Sequence, residues 1–287
     1  MRRKIAHRSL RWLVYPGYEG GGIKYITFQT NKSGLFNPSV TVNDASLVTW
    51  DYGDGNTSTG TTANRTYPDA TTKTVTVTFA NPAAVTHLAF FSQSLVGTFA
   101  LSQLSILTGL QEFRGYSNTS CNVTGSLSDL PSTMAYLHLG STSSTITGAL
   151  GDLPSTMTVL HLGSTSSTIT GALGDLPSTM AYLNLGSTSS TITGGVSAPS
   201  ATGLLNAQLY SMVYTQAQLD ALILYIYMYR ANWTSAAPVL HIGGTNPAPS
   251  GTYQDGDPPT TGKEYIYELV NDPEAEGFNQ WAITYTA

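Results

Sequence analysis

Three stretches of this chain are nearly the same stretch. Leu-Pro-Ser-Thr-Met stands at residues 130–134, 153–157 and 176–180, and Gly-Ser-Thr-Ser-Ser-Thr-Ile-Thr-Gly at residues 140–148, 163–171 and 186–194, a period of 23 residues. A unit that short cannot bury its own apolar side chains, so it is stable only when stacked on copies of itself. The chain is thereby limited to an array of coils whose equivalent residues form columns. Each unit carries Met-x-x-Leu-x-Leu, as in Met134, Leu137 and Leu139, and an isoleucine nine residues after the first leucine, as in Ile146. In an extended segment alternate residues share a face, so Leu137, Leu160 and Leu183 are expected in one interior column.

This pattern resembles the leucine-rich repeat, in the variant with a second short strand on the flank of the coil. The asparagine usual in that repeat is replaced here by Ser or Thr, which leaves open how its buried amide ladder is made. Degenerate units extend the array: Val85, Leu88 and Phe90 fit one coil, Leu110 and Phe113 another, and Leu204, Ala207 and Leu209 a further one. About six coils are expected over residues 82–214. After Thr215, a candidate N-cap, residues 216–230 read as a helix whose Leu219, Leu222, Ile223, Ile226 and either Tyr227 or Tyr229 face the last coil and close it. Residues 215–287 are completed by one more repeat-like strand at 239–246, a short amphipathic segment and a final strand at 281–286.

Ahead of the repeats, residues 23–81 change to short alternating segments at 25–30, 39–42, 47–50 and 74–79, the pattern of an antiparallel sandwich. The string Val-Thr-Trp-Asp-Tyr-Gly-Asp-Gly-Asn at residues 48–56, with Arg65, Thr66 and Tyr67 and the strand after them, resembles the PKD (polycystic kidney disease) family. That resemblance implies a small immunoglobulin-like sandwich acting as a spacer or weak binding module. Trp50 is expected in its core, Gly53 and Gly55 at positive backbone angles, and Asp51 and Asp54 as acceptors of turn amides or as calcium ligands.

Five of the twelve basic residues, Arg2, Arg3, Lys4, Arg8 and Arg11, lie in the first eleven positions, while all seventeen acidic residues lie beyond them. Residues 1–22 read as a basic anchoring arm, and the acidic body is expected to repel nucleic acid. The one cysteine, Cys121, excludes an internal disulfide. No apolar run is long enough to span a membrane.

Between the inward leucines the outward residues should line up on a concave sheet. One column is Tyr136, Val159 and Tyr182; the next is His138, His161 and Asn184, continuing toward Gln208 and His241. Tyrosine beside imidazole and amide groups suits recognition of a glycan or a protein, and a bare solvated ladder is the alternative. A metal between His138 and His161 lacks a third ligand, and none is expected. Thr145, Thr168 and Thr191, with Thr147, Thr170 and Thr193, would form two hydroxyl columns resembling the face of ice-binding solenoids. Asp129, Asp152 and Asp175 form a further column, read as capping the backbone amides that follow them, with calcium bridging as the alternative.

No nucleophile elbow, zinc-binding histidine pair or phosphate loop occurs, so no enzymatic activity, catalytic residue or cofactor is expected. The fold class is mainly β, an immunoglobulin-like sandwich plus a leucine-rich-repeat solenoid with a C-terminal capping helix. Surface-type modules without a secretion signal fit a phage virion component, made in the host cytoplasm and displayed as a capsid decoration, fibre or receptor-binding protein. Its arm would hold other virion proteins and its solenoid a host-surface glycan or protein. A bacterial cell-surface adhesion protein and an ice-binding protein are the alternatives, and homo-oligomerisation stays open.

Overall fold

A computed structural model describes residues 24–42, 48–140, 143–163, 165–271 and 278–287. The proposed anchor residues Arg2, Arg3, Lys4, Arg8 and Arg11 lie outside the described residues, as does Leu47 of the expected segment at 47–50. The fold is mainly β.

Seven strands come first: β1 (Tyr25–Thr30), β2 (Gly34–Phe36), β3 (Ser39–Thr41), β4 (Val48–Asp51), β5 (Thr57–Thr59), β6 (Arg65–Tyr67) and β7 (Lys73–Phe79). Their period-two pattern turns Ile26 and Phe28 of β1, Val48 and Trp50 of β4, and Val75, Val77 and Phe79 of β7 inward. β1 and β4 flank β7 antiparallel, β5 extends β4, and β2 pairs with β6. Trp50 is fully buried and donates its indole hydrogen to the Gly60 carbonyl at 2.8 Å. The turn after β4 is as expected: Gly53 and Gly55 have φ of 70° and 87°. A side chain on Gly53 would also meet the Thr74 carbonyl.

The array follows as β8 (His87–Ala89), β9 (Leu95–Ala100), β10 (Glu112–Arg114), β11 (Ser120–Ser126), β12 (Tyr136–His138), β13 (Thr145–Ala149), β14 (Val159–His161), β15 (Thr168–Thr170), β16 (Tyr182–Asn184) and β17 (Asn206–Gln208). Then come α1 (Gln216–Met228), β18 (Val239–His241), α2 (Gly262–Asn271) and β19 (Ala282–Thr284). Strands β8, β10, β12, β14, β16, β17, β18 and β19 run parallel in that order, with β3 antiparallel on the β8 edge. Six of these eight parallel strands lie within residues 82–214, and the other two, β18 and β19, fall where the further strands at 239–246 and 281–286 were expected, after the long insertions that carry α1 and α2. Leu137, Leu160 and Leu183 are direct partners and are buried.

The second sheet has the order β15-β13-β11-β9-β1-β7-β4-β5, parallel from β9 to β15. Both sheets therefore run from the sandwich into the array, through β1 with β9 and β3 with β8. Phe90 joins the two cores, its ring 4.7 Å from Phe28, 6.5 Å from Trp50 and 6.0 Å from Phe113. The sandwich thereby covers the first strand edges of the array, which would otherwise stand open for pairing.

Buried hydroxyl groups of the repeated units are hydrogen-bonded to one another and to the backbone. Thr165 donates to the Leu162 carbonyl at 2.7 Å and shares a 2.7 Å hydrogen bond with Ser167, whose hydroxyl accepts the Ile146 amide hydrogen at 3.1 Å. Thr188, Ser190 and Ile169 repeat the arrangement. In outlying units an amide does the same work. Asn118 donates to Phe90 and Gly115 carbonyls and accepts from Gln93 and Leu95, and Asn246 binds Leu209, Ile242 and Met212.

The helix begins at the expected cap, with Thr215 and Gln218 in a reciprocal capping box. Its buried residues are Leu219, Leu222, Ile223, Tyr225 and Ile226. Tyr225, not Tyr227 or Tyr229, takes the buried aromatic position. It lies over Gly194, where an added Cβ would come within 2.1 Å of the Tyr225 Cβ, and its hydroxyl donates to the Ser197 carbonyl at 3.0 Å. α1 thus covers the flank sheet beyond β15. The expectation that it closes the array is corrected, since the other sheet continues through β18 and β19.

Candidate functional site

The outward positions of the nine-stranded sheet stand in register. Tyr136, Val159 and Tyr182 are consecutive partners, followed by Asn206 and Val239; His138, His161 and Asn184 are consecutive partners, followed by Gln208 and His241. Tyr136, Val159, His161, Tyr182, Asn184, Asn206 and Gln208 line a groove of about 350 Å³. Of the six residues expected to bind, only His138 lies outside that lining. Tyr182 is 46% exposed.

Beside the groove the rings form a stacked ribbon that crosses strands. Phe91 stacks on Tyr116 at 5.1 Å, Tyr116 on His138 at 4.3 Å, and His138 on His161 at 4.1 Å with ring planes 10° apart. The ribbon ends on Asn184. The Gly186 amide donates to Asn184 Oδ1 at 3.1 Å, so Asn184 Nδ2 is the group that faces His161 Nε2 at 3.1 Å. His161 Nε2 is then an acceptor and its proton sits on Nδ1. Further along, Gln208 donates to Asn206 Oδ1 at 2.7 Å and accepts from His241 Nδ1 at 3.0 Å, while Tyr210 stacks on His241 at 4.7 Å.

Burial, and then the neighbouring His161 and Arg114, push the His138 imidazole down to about 4. Burial lowers His161 as well. Both rings are neutral at neutral pH, and the groove lining carries no charge. Charge gathers at the sandwich end of the face, where Glu112 pairs with Arg114 and approaches His87 at 3.6 Å. Arg114 also lies over the Tyr136 ring at 5.0 Å.

Ring nitrogen lone pairs lie in the ring plane, so the parallel His138 and His161 rings cannot converge on one ion. No group of three or more His, Cys, Asp or Glu side chains suited to a metal occurs among the described residues. In the sandwich turn, Asp51 accepts from the Gly53 amide at 2.9 Å and Asp54 from the Asn56 amide at 3.1 Å. Burial would raise the Asp54 carboxyl, but hydrogen bonds from Asn56 and Arg65 outweigh it and hold it below the usual carboxylate range. A cation there would have to displace Arg65, 2.7 Å away.

Two expected columns are corrected. Each aspartate does cap a backbone amide, but of the residue three before it: Asp129 accepts from Ser126, Asp152 from Ala149 and Asp175 from Ala172, at 2.8 to 3.0 Å. The threonines are out of line. Thr147 pairs with Thr168 and Ala149 with Thr170, a step of 21 residues, so Thr145, Thr168 and Thr191 do not stand side by side. Thr147, Thr170 and Thr193 spend their hydroxyl hydrogens on the carbonyls of Gly125, Gly148 and Gly171.

Sequence reasoning missed Tyr116, Asn206 and Tyr210. Tyr116 and Tyr210 sit where the regular units have glycine, and an aromatic ring at that place was the available signal.

Residues 28–87 match a protein-family model for the PKD domain, so a PKD domain occupies that part of the chain. It ends within β8, the strand that pairs with β3. The search against curated proteins gives no match. No helix among the described residues is long and apolar enough to cross a membrane.

Proposed function

We propose that the protein is a non-enzymatic recognition protein in which a leucine-rich-repeat solenoid, braced by the PKD domain, presents the outer face of its nine-stranded sheet to a ligand. The observation that carries this reading is the strict register of Tyr136, Val159 and Tyr182 beside His161, Asn184 and Gln208. Side chains mounted on short paired strands and hydrogen-bonded to one another are held in place before any ligand arrives, which is what a binding surface requires. The buried leucine column and the Asn118 and Asn246 amides support the solenoid class. A stacked imidazole pair whose basicity is lowered by burial, beside a carboxylate, Glu112, already engaged by Arg114, supports a binding role over acid–base chemistry.

We extend the proposal to display on a phage-type virion, with residues 1–22 holding neighbouring virion proteins. The low charge and hydroxyl-rich composition support an exposed, particle-borne surface. Mass spectrometry of gradient-purified particles should find the chain in them; its presence in bacterial envelope fractions alone would replace the virion with a cell-surface adhesion role. The face is tested by Tyr136→Arg with Tyr182→Arg. The labelled double variant should lose adsorption to host envelopes while keeping the wild-type urea midpoint, and undiminished adsorption would overturn the reading.

A further inference from the structure

We propose that the ligand of this face is an uncharged saccharide, seated across β12, β14, β16 and β17. Its C–H surfaces rest on Tyr136, Val159 and Tyr182, and its hydroxyls meet the amides of Asn184, Asn206 and Gln208. This rests on the recognition reading above and adds the chemical class of what is recognised.

Charge complementarity is the first argument. The groove lining holds phenol, methyl, imidazole and amide groups and no ionised side chain. Arg114, on the strand beside β12, is engaged by Glu112 and by the Tyr136 ring. Among the described residues of the lining an anionic polymer would find no cation, and a charged peptide would lose hydration there without gaining an ionised partner.

The second argument is the division of the lining into two parallel stripes. A sugar ring has an apolar C–H side and a rim of hydroxyls; one column of the groove runs Tyr136, Val159, Tyr182 and ends on Asn206, and the column beside it runs His161, Asn184, Gln208. Tyr136 and Tyr182 lie two strand spacings apart, roughly 9 to 10 Å, close to the repeat of a disaccharide, with Val159 as the floor between them.

The third argument is preorganisation. Asn184 uses one N–H on His161 and one oxygen lone pair on the Gly186 amide; Gln208 uses one N–H on Asn206 and one lone pair on His241. Each therefore keeps one donor and one acceptor in a fixed orientation, the pairing that adjacent sugar hydroxyls need. The ordering cost of these amides is met before binding.

The test is calorimetric titration of the full chain with mannan, dextran and a β-1,4-linked glucan oligomer, against heparin and polygalacturonate. Binding to at least one neutral polymer, unchanged by added salt, is expected. Tyr182→Ala and Asn184→Ala should each weaken it by about tenfold or more, Tyr182→Phe should retain it, and Thr147→Ala on the other sheet should leave it unaltered. Failure of all three neutral polymers, preference for an anionic one, or full binding by both alanine variants overturns the proposal. If host adsorption still depends on Tyr136 and Tyr182 while no neutral polymer binds, the saccharide class fails and the recognition face stands. If adsorption ignores those tyrosines, the face itself fails.

Discussion

The same 23-residue unit supplies one strand to each of two sheets, and the sheets use it differently. In the nine-stranded sheet Leu137, Leu160 and Leu183 are partners, so equivalent residues stand side by side. In the eight-stranded sheet Thr147 meets Thr168 and Gly148 meets Ile169, a slip of two residues per step. Because side chains alternate along a strand, a slip of two keeps Ile146 and Ile169 buried while moving the threonines out of file. Repetition thus guarantees which way a residue points, and alignment into columns is a separate matter. The pairing of β13 with β15 follows a step of 21 residues while that of β12 with β14 follows the full 23.

The aligned sheet is the better place for a recognition surface, and the slipped one spends its polar groups on its own backbone. Four measurements sharpen or break that contrast. The largest effect is expected from Leu160→Ala, which empties one place in an aligned, fully buried column; urea denaturation should show a loss of about 2–5 kcal/mol. A loss near zero would mean the column is not a packed core. Ser167→Ala leaves the buried Ile146 amide without its acceptor and should cost about 1–3 kcal/mol by the same measurement. If it is neutral, the Ser167 hydroxyl is not what satisfies the Ile146 amide.

A smaller effect follows from pH. His138 is held at about 4 in the folded protein, below the ordinary histidine value near 6.5, so the unfolded chain takes up the proton first. The stability tied to this ring is complete above about pH 6.5 and declines as pH falls toward 4, by on the order of 1 kcal/mol once solvent screening is allowed for. Urea midpoints compared between wild type and His138→Gln should diverge across that window, and parallel curves would refute the assignment. The smallest effect belongs to the slipped sheet. Thr147→Val removes an exposed hydroxyl bonded to the Gly125 carbonyl at 3.3 Å and should change stability by less than about 0.5 kcal/mol.

Much of the candidate site was readable because it depends on spacing alone. Tyr136, Val159 and Tyr182, like His138, His161 and Asn184, sit at identical places in near-identical units, and those units fall in the aligned sheet. Trp50, Gly53 and Gly55 were readable because a tight turn after a core tryptophan leaves few other roles for them. Asn206 and Tyr210 were harder, since their unit has lost most of the repeated string and Ala207 replaces the central leucine. Tyr116 was hidden in the same way. The exchange of Tyr225 for Tyr227 or Tyr229 has another cause: the helix face that is buried depends on where the flank sheet ends. It ends at Gly194, whose missing side chain admits the Tyr225 ring.

Alternation of side chains and a 23-residue interval were enough to assign every central leucine and isoleucine to the interior and the tyrosines and imidazoles to the surface, because both facts are local to a strand. The slip of the flank sheet, the seam of β1 with β9 and β3 with β8, and the passage of the main sheet beyond α1 became decidable only in three dimensions. Those features depend on backbone hydrogen bonds between distant segments, and no single stretch of residues contains them.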